Sequence, residues 1–300
     1  MLIGLDIGGT KIEGVLVNAS TLTVEKRLRV PTPKRDYSDF ISAVESVINK
    51  LINDNVKSIG IGCCGSVNKK TNLMQGANIL YLNNKPFLSD IRHKFPMLPV
   101  EISNDANCLA ISEFKTGAAS EAESSCVAII IGTGCGGGVI LNNTIIEGSD
   151  GLGGEIGHNP LPHFKPEIDG KEVKCYCGSL NCNESFVSGT GFQRTFSEKY
   201  RPLSAKEIFE QAAKGDIDAK AHIELLTDQI ARIIANLVNV INPEMIVLGG
   251  GLSNQDVIYP MIENKISNFT FNKKTNTRVL KAMHGDSSGV IGAAMLPLMK

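Results

Sequence analysis

Apolar residues dominate Leu2–Ile7 and return over Ile12–Val17, with Gly8-Gly9-Thr10 between them, which predicts a strand, a tight turn and a return strand. The device recurs far downstream. Val127–Ile131 runs into Gly132-Thr133-Gly134-Cys135-Gly136-Gly137-Gly138, and Val139–Leu141 continues as a strand. Two more strand-to-glycine junctions lie at Ser58–Gly65 and Met245–Gly251. Tyr37, Phe40, Ile41, Val44, Val47, Ile48 and Leu51 keep helical spacing, with Asp36 or Ser38 as N-cap. Ile223, Leu226, Ile230, Ile233, Ile234, Leu237 and Ile241 predict a longer helix ended by Asn242-Pro243, and a further helix is expected over Ala106–Ala119. Strands alternating with helices predict an α/β fold, the return strands make its sheets mixed, and the repeated device predicts two lobes of related architecture. Glu147–Glu184 is the least regular stretch, and its histidines and cysteines mark it as functional.

Composition narrows the class. The 300 residues exceed an ordinary single domain, and a 42% hydrophobic share can fill a sizeable core. Thirty basic against 31 acidic residues leave a net charge of −1, so bulk charge gives no attraction to nucleic acid or an anionic membrane. No apolar run approaches the ~20 residues that span a bilayer. Met1–Asp6 lacks the basic start of a signal peptide, so the expected location is cytoplasmic. Eight cysteines are then expected to be core residues, metal ligands or nucleophiles in a reducing compartment.

Four clusters carry candidate chemistry. In Asp6-Ile7-Gly8-Gly9-Thr10-Lys11 the glycines let backbone N–H groups approach an anion, while Asp6 could hold a metal ion through water; a plain hairpin with a solvated lysine is the alternative. Gly132, Gly134 and Gly137 satisfy G-x-G-x-x-G, but a strand rather than a helix follows, so a dinucleotide fold is excluded. Two glycine-rich hairpin turns suit a nucleoside triphosphate, and Gly249-Gly250-Gly251 would suit close packing against a flat base. Asn104-Asp105-Ala106-Asn107 opens a helix; one residue can be its cap, and the carboxylate can take the proton of a substrate hydroxyl positioned by Asn104. Cys175, Cys177 and Cys182 with His158 form a Cys₃His set, which favours structural zinc over a disulfide or uncoordinated thiols. Zinc there would pin Glu155 and Glu184 at a polar site for a polyhydroxyl ligand.

Taken in order and spacing, Asp6–Lys11, Asn104–Asn107, Gly132–Gly138, Gly154–His158, Cys175–Cys182 and Gly285–Gly289 resemble the ROK family of sugar kinases and sugar-responsive repressors. The resemblance implies a two-lobed actin-like ATPase fold of ribonuclease-H-like mixed sheets, with the active site in an interlobe cleft. It implies a lobe over residues 1–118, carrying the first phosphate loop and the base, and a second over 119–286, carrying the second loop and the zinc site. A C-terminal helix at about 287–300 is expected to pack back on the first. By likeness Asp105 is the catalytic base for the sugar's 6-hydroxyl. Asn104, Asp105, Glu155, His158 and Glu184 contact the sugar. Gly4, Leu5, Asp6, Ile7, Gly8, Gly9, Thr10 and Lys11, with Gly132 to Gly138, Val139 and Gly250, bind ATP alongside Mg²⁺. His158, Cys175, Cys177 and Cys182 hold Zn²⁺. Gly157–Pro162, Tyr81–Asn83 and His284–Gly289 are most similar to fructokinases of the mannokinase type, so fructose is the expected hexose and N-acetylglucosamine the alternative. A homodimer is a family expectation. The family's repressors carry an added DNA-binding segment, and with four residues before Leu5 none is expected here. A silent sugar sensor would be expected to have lost Asp105 or the glycine loops, and the chain keeps both. Asn181 and Asn183 depart from the family pattern and are expected to loosen the approach of Glu184, and Cys63-Cys64-Gly65 departs where a proline is usual.

Overall fold

The computed structural model describes residues 1–299; Lys300, the last residue of the expected C-terminal segment, lies outside the described residues. In chain order the first elements are β1 (Leu2–Ile7), β2 (Lys11–Val17), β3 (Val24–Pro31), α1 (Tyr37–Leu51), β4 (Ser58–Cys63), β5 (Ser66–Val67), β6 (Met74–Gln75), α2 (Phe87–Lys94), β7 (Val100–Asn104) and α3 (Asp105–Lys115). Next come β8 (Cys126–Ile131), β9 (Cys135–Leu141), β10 (Thr144–Ile145), α4 (Pro166–Asp169), α5 (Glu184–Val187), α6 (Gly189–Lys199), α7 (Ala205–Ala213) and α8 (Ile217–Ile241). The chain closes with β11 (Met245–Gly249), α9 (Ile258–Ile266), β12 (Arg278–Lys281) and α10 (Ser288–Met295).

Two five-stranded sheets share one plan. The first runs β3-β2-β1-β4-β7, and the second β10-β9-β8-β11-β12. β2 lies antiparallel to β1, whereas β4 and β7 are parallel. In the second sheet β10 is antiparallel to β9, while β8, β11 and β12 are parallel. Both sheets are mixed for the reason the sequence gives: a glycine turn sends the chain straight back, and helices supply the parallel crossovers.

Helix ends follow local chemistry. Asp36 caps α1 by accepting the N–H of Asp39 at 2.9 Å. Asn242, at φ 44°, closes α8 in the left-handed region. The α3 helix stops at Lys115 rather than Ala119, because the carboxylate of Glu113 takes the N–H of Ala118 out of the helical pattern.

The described residues divide into two compact units. One comprises 1–120, 138–154 and 283–299, the other 121–137 and 155–282. In the first, α10 lies so close to the sheet that a Cβ on Gly4 would overlap the Val290 carbonyl, and one on Gly60 the Ala293 carbonyl. Apolar β1 and β4 pack against α10, and α1 lies against β2 and β3, with Leu5, Ile59, Ile61 and Phe40 fully buried. In the second, α8 contributes Leu226, Ile230 and Ile234 to the core, and β11 contributes Ile246 and Val247. Among the described residues no helix is long and apolar enough to cross a membrane.

Candidate active site

Strand register builds the first half of the site. Ile7 pairs with Cys63, and Cys63 with Asn104, so the carboxyl ends of β1, β4 and β7 finish in one row. Ligands in open α/β sheets bind outside that edge. Asn104 ends β7 and caps α3, its Oδ1 accepting the Asn107 N–H at 2.7 Å. Asp105 is the first residue of the helix and is open to solvent, with the Ala106 N–H donating to its Oδ1 at 2.9 Å. Surrounding protein nonetheless desolvates it and raises its pKa above the usual carboxylate value, against the pull of the backbone N–H groups of Ala106 and of Asp105 itself. Asp6 is raised to about 6, first by burial and then by the negative charge of Asp105, with Lys11 acting in the opposite sense. Two carboxylates of the first unit therefore share one electrostatic environment.

Only part of each predicted phosphate loop faces outward. Gly4 is covered by α10, and Leu5 and Ile7 are core residues, so in that segment Asp6 and Gly8 through Lys11 remain available. The turn closes with the Gly8 N–H on the Lys11 carbonyl at 3.0 Å, and nothing within 4 Å would meet a Cβ on Gly9. Lys11 is already engaged: its Nζ lies 3.0 Å from Glu13, a fully buried carboxylate that also takes Arg27 at 2.9 Å and Arg29 at 2.8 Å. Glu13 gave no motif signal, since a charged residue inside an apolar strand looks like noise until its cations converge from the neighbouring strand. In the second loop the turn proper is Gly132-Thr133-Gly134, because β9 begins at Cys135. Gly138 is a packing position, where a Cβ would overlap the Ala106 carbonyl of α3. Gly250 is likewise structural: at φ 87° its added Cβ would stand 2.7 Å from the Gly132 backbone nitrogen.

In the second unit a cavity of about 630 Å³ opens beside this turn, lined by Gly132, Thr133, Thr190, Gln193, Gly251 and Asn254. Gly251 has open space where a Cβ would stand. The α6 contributors were not legible in the sequence, because they reach the cavity only when the α6 N-terminus docks on the loop, with Gly189 N–H donating to the Gly132 carbonyl at 2.6 Å.

The irregular stretch folds around four ligand atoms. His158, Cys175, Cys177 and Cys182 offer donors that all lie within 4.8 Å of one another. His158 Nδ1 is 3.6 Å from the Cys175 sulfur, and the Cys177 and Cys182 sulfurs are 3.6 Å apart. A tetrahedral zinc site with Zn–S near 2.3 Å has sulfur–sulfur edges of about 3.8 Å, so the residues fit the ion. The other ring nitrogen, Nε2, faces the Tyr176 hydroxyl at 3.0 Å. One imidazole can thus face a metal on one side and a hydroxyl on the other. Asn183 does not loosen its surroundings. Its Nδ2 donates to the Ile156 carbonyl at 2.8 Å and its N–H to the Asn159 carbonyl at 2.8 Å, tying Glu184 to the Glu155–His158 turn. Asn181, at φ 56°, accepts the Val173 N–H at 2.9 Å. Glu155 is exposed and Glu184 half-buried. Burial and then these two carboxylates, Glu184 before Glu155, push the Cys135 thiol up to about 12, which places both charges beside the second glycine loop.

Residues 2–300 match the ROK family. The chain is 36% identical to the N-acetyl-D-glucosamine kinase of Haemophilus influenzae (strain 86-028NP), with 100% of each chain covered. The solved ROK hexokinase of Thermus thermophilus superposes with a TM-score of 0.84 at 25% identity, covering 98% of this chain and 96% of that one. A ROK family glucokinase of Streptomyces griseus, solved with glucose and AMPPNP, gives 0.78 at 26% identity over 98% of each chain. The chain therefore belongs to the ROK family and has the fold of its sugar kinases.

Proposed function

We propose that this protein is an ATP-dependent sugar kinase that transfers the γ-phosphoryl group to the 6-hydroxyl of N-acetyl-D-glucosamine. Support for the reaction comes from Asp105, a carboxylate at the head of α3 whose pKa is raised by desolvation from the surrounding protein, with the Asn104 amide beside it. Such a group accepts the proton of an attacking hydroxyl. Support for the acceptor comes from the relatives. Fructose was the expectation from the motifs around His158 and His284, but relatives 34–36% identical along the chain are named N-acetyl-D-glucosamine kinases, which favours the alternative.

In this scheme Asn104 orients the hydroxyl while Glu155, Glu184 and His158 hold the remaining sugar hydroxyls. Asp6 would hold Mg²⁺, with the turns at Gly8–Thr10 and Gly132–Gly134 receiving the phosphates and the cavity at Thr190 and Asn254 the base. Mg²⁺-ATP supplies the phosphoryl group, and Zn²⁺ on the Cys₃His set would fix His158 without taking part in the chemistry. Catalysis then consists of positioning, removal of one proton by Asp105 and charge stabilisation.

The test is ADP release with Mg-ATP across N-acetylglucosamine, fructose, mannose, glucose and N-acetylmannosamine, with Asp105→Asn as blank. N-acetylglucosamine should lead by at least tenfold in kcat/KM. Fructose leading would restore the motif-based expectation, and turnover with no sugar would refute the kinase assignment.

A further inference from the structure

The chain first leaves the first unit after Ser120 and returns to it for the last time at Met283, and one buried carboxylate stands beside these two crossings. Glu113, in the last turn of α3, is 0% exposed. Its Oε2 accepts the N–H groups of Ala118 and Met283, each at 2.9 Å. Its Oε1 accepts the His284 N–H at 3.0 Å and the Ser288 hydroxyl at 2.6 Å. Nearby, Thr116 Oγ1 lies 2.9 Å from His284 Nε2.

All four donors are neutral, and three of them belong to one segment, residues 283–288. A buried carboxylate is tolerated only when its oxygens are satisfied, so these donors hold their places as a set. The segment leads directly into α10, where Gly289 lies against Asp6: an added Cβ would be 3.5 Å from the Asp6 carboxyl carbon. Ser287 Oγ also takes a hydrogen bond from Arg27 at 2.8 Å. The far end of the helix that carries Glu113 is Asp105. Glu113 thus links the helix of the proposed base to the backbone that borders the proposed metal-holding carboxylate.

We propose that Glu113 is a positioning residue for nucleotide binding: it fixes residues 283–289 against Asp6 and so keeps Asp6 where it would hold the nucleotide's metal. This rests on the kinase assignment for the identity of the ligand. It also gives the His284–Gly289 motif a physical role, as a segment held by a carboxylate from elsewhere in the chain.

The experiment compares the parent, Glu113→Gln and Ser288→Ala. The first keeps size but puts an NH₂ group where two donors converge; the second removes one of four donors. Mg-ADP affinity by calorimetry, sugar affinity without nucleotide, and amide exchange over 283–289 are read well below each variant's Tm. Glu113→Gln should weaken Mg-ADP at least tenfold, leave sugar affinity within twofold and speed exchange in the segment, with Ser288→Ala intermediate. Faster exchange or a lower Tm with Mg-ADP affinity within twofold of the parent would reduce Glu113 to a fold-stabilising role and overturn the proposal. Should Glu113→Gln fail to fold, Ser288→Ala decides on the same affinity. A parent that binds Mg-ADP but phosphorylates no sugar overturns the kinase assignment alone, and a parent that does not bind Mg-ADP overturns both.

Discussion

The backbone N–H of Cys135 donates to Glu184 Oε2 at 2.8 Å, so the second glycine loop and one of the two carboxylates beside the Cys₃His set are joined directly. A Cβ on Gly134 would stand 2.6 Å from the same oxygen. Glycine at 134 thus leaves room for a side chain fifty positions away in sequence.

That contact makes Gly134→Ala informative. The added methyl must push Glu184 off Cys135, since the carboxylate is the flexible partner. Sugar KM should rise about tenfold with a small change in Tm, because a half-buried carboxylate moves while the core does not. Steady-state kinetics with varied sugar, beside a thermal melt, check this.

Replacing the proposed base gives a different signature. Asp105→Asn keeps the shape and leaves Asn104 capping α3, but removes proton acceptance. Turnover should fall by about 10³, within the range general-base catalysis supplies, with sugar affinity changed less than fivefold. Single-turnover kinetics and calorimetry separate the two quantities.

The raised pKa of Asp6 predicts a pH dependence of nucleotide binding. With Asp6 titrating at about 6, its ionised form is lost as pH falls through 6, and Mg-nucleotide affinity should fall with it. Removing the neighbouring charge in Asp105→Asn should move that limb to lower pH, because Asp105 raises the Asp6 pKa. Stability carries the opposite sign. The fold favours the protonated Asp6, so ionising it costs stability as pH rises from about 4 through 6. Asp6→Asn should gain on the parent across that interval by at most about 3 kcal/mol, and match it at pH 4. Denaturant melts of both proteins at several pH values measure the difference.

Zinc occupancy is the fourth expectation. Protein purified without added zinc should contain about one ion per chain. Cys182→Ser should lose the metal and free the 156–184 segment, raising sugar KM while leaving Mg-ADP affinity near that of the parent. Elemental analysis and the two affinities decide it.

Legibility was uneven for identifiable reasons. The hairpins at Gly8–Thr10 and Gly132–Gly134, helix α1 with its Asp36 cap, helix α8 and the Cys₃His set all follow from local spacing, because turn geometry, helical periodicity and ligand spacing are properties of adjacent residues. What proximity in space decides was hidden. Gly4, Gly138 and Gly250 read as ligand-binding glycines, and the structure adds a packing partner to each, since α10, α3 and the Gly132 backbone come from remote parts of the chain.

By itself, then, the sequence determined the alternation of elements, the mixed character of the sheets, the residues able to bind metal and the head of α3, all consequences of periodicity and local hydrogen bonding. Only the tertiary structure decided which carboxylates act together. Asp6 feels Asp105 because strand register aligns the ends of β1, β4 and β7, Glu13 gathers three cations across β2 and β3, and Glu113 gathers donors from Ala118 and from 283–288. Electrostatic energy depends on distance through space, and the order of residues along the chain does not fix that distance until the chain has folded.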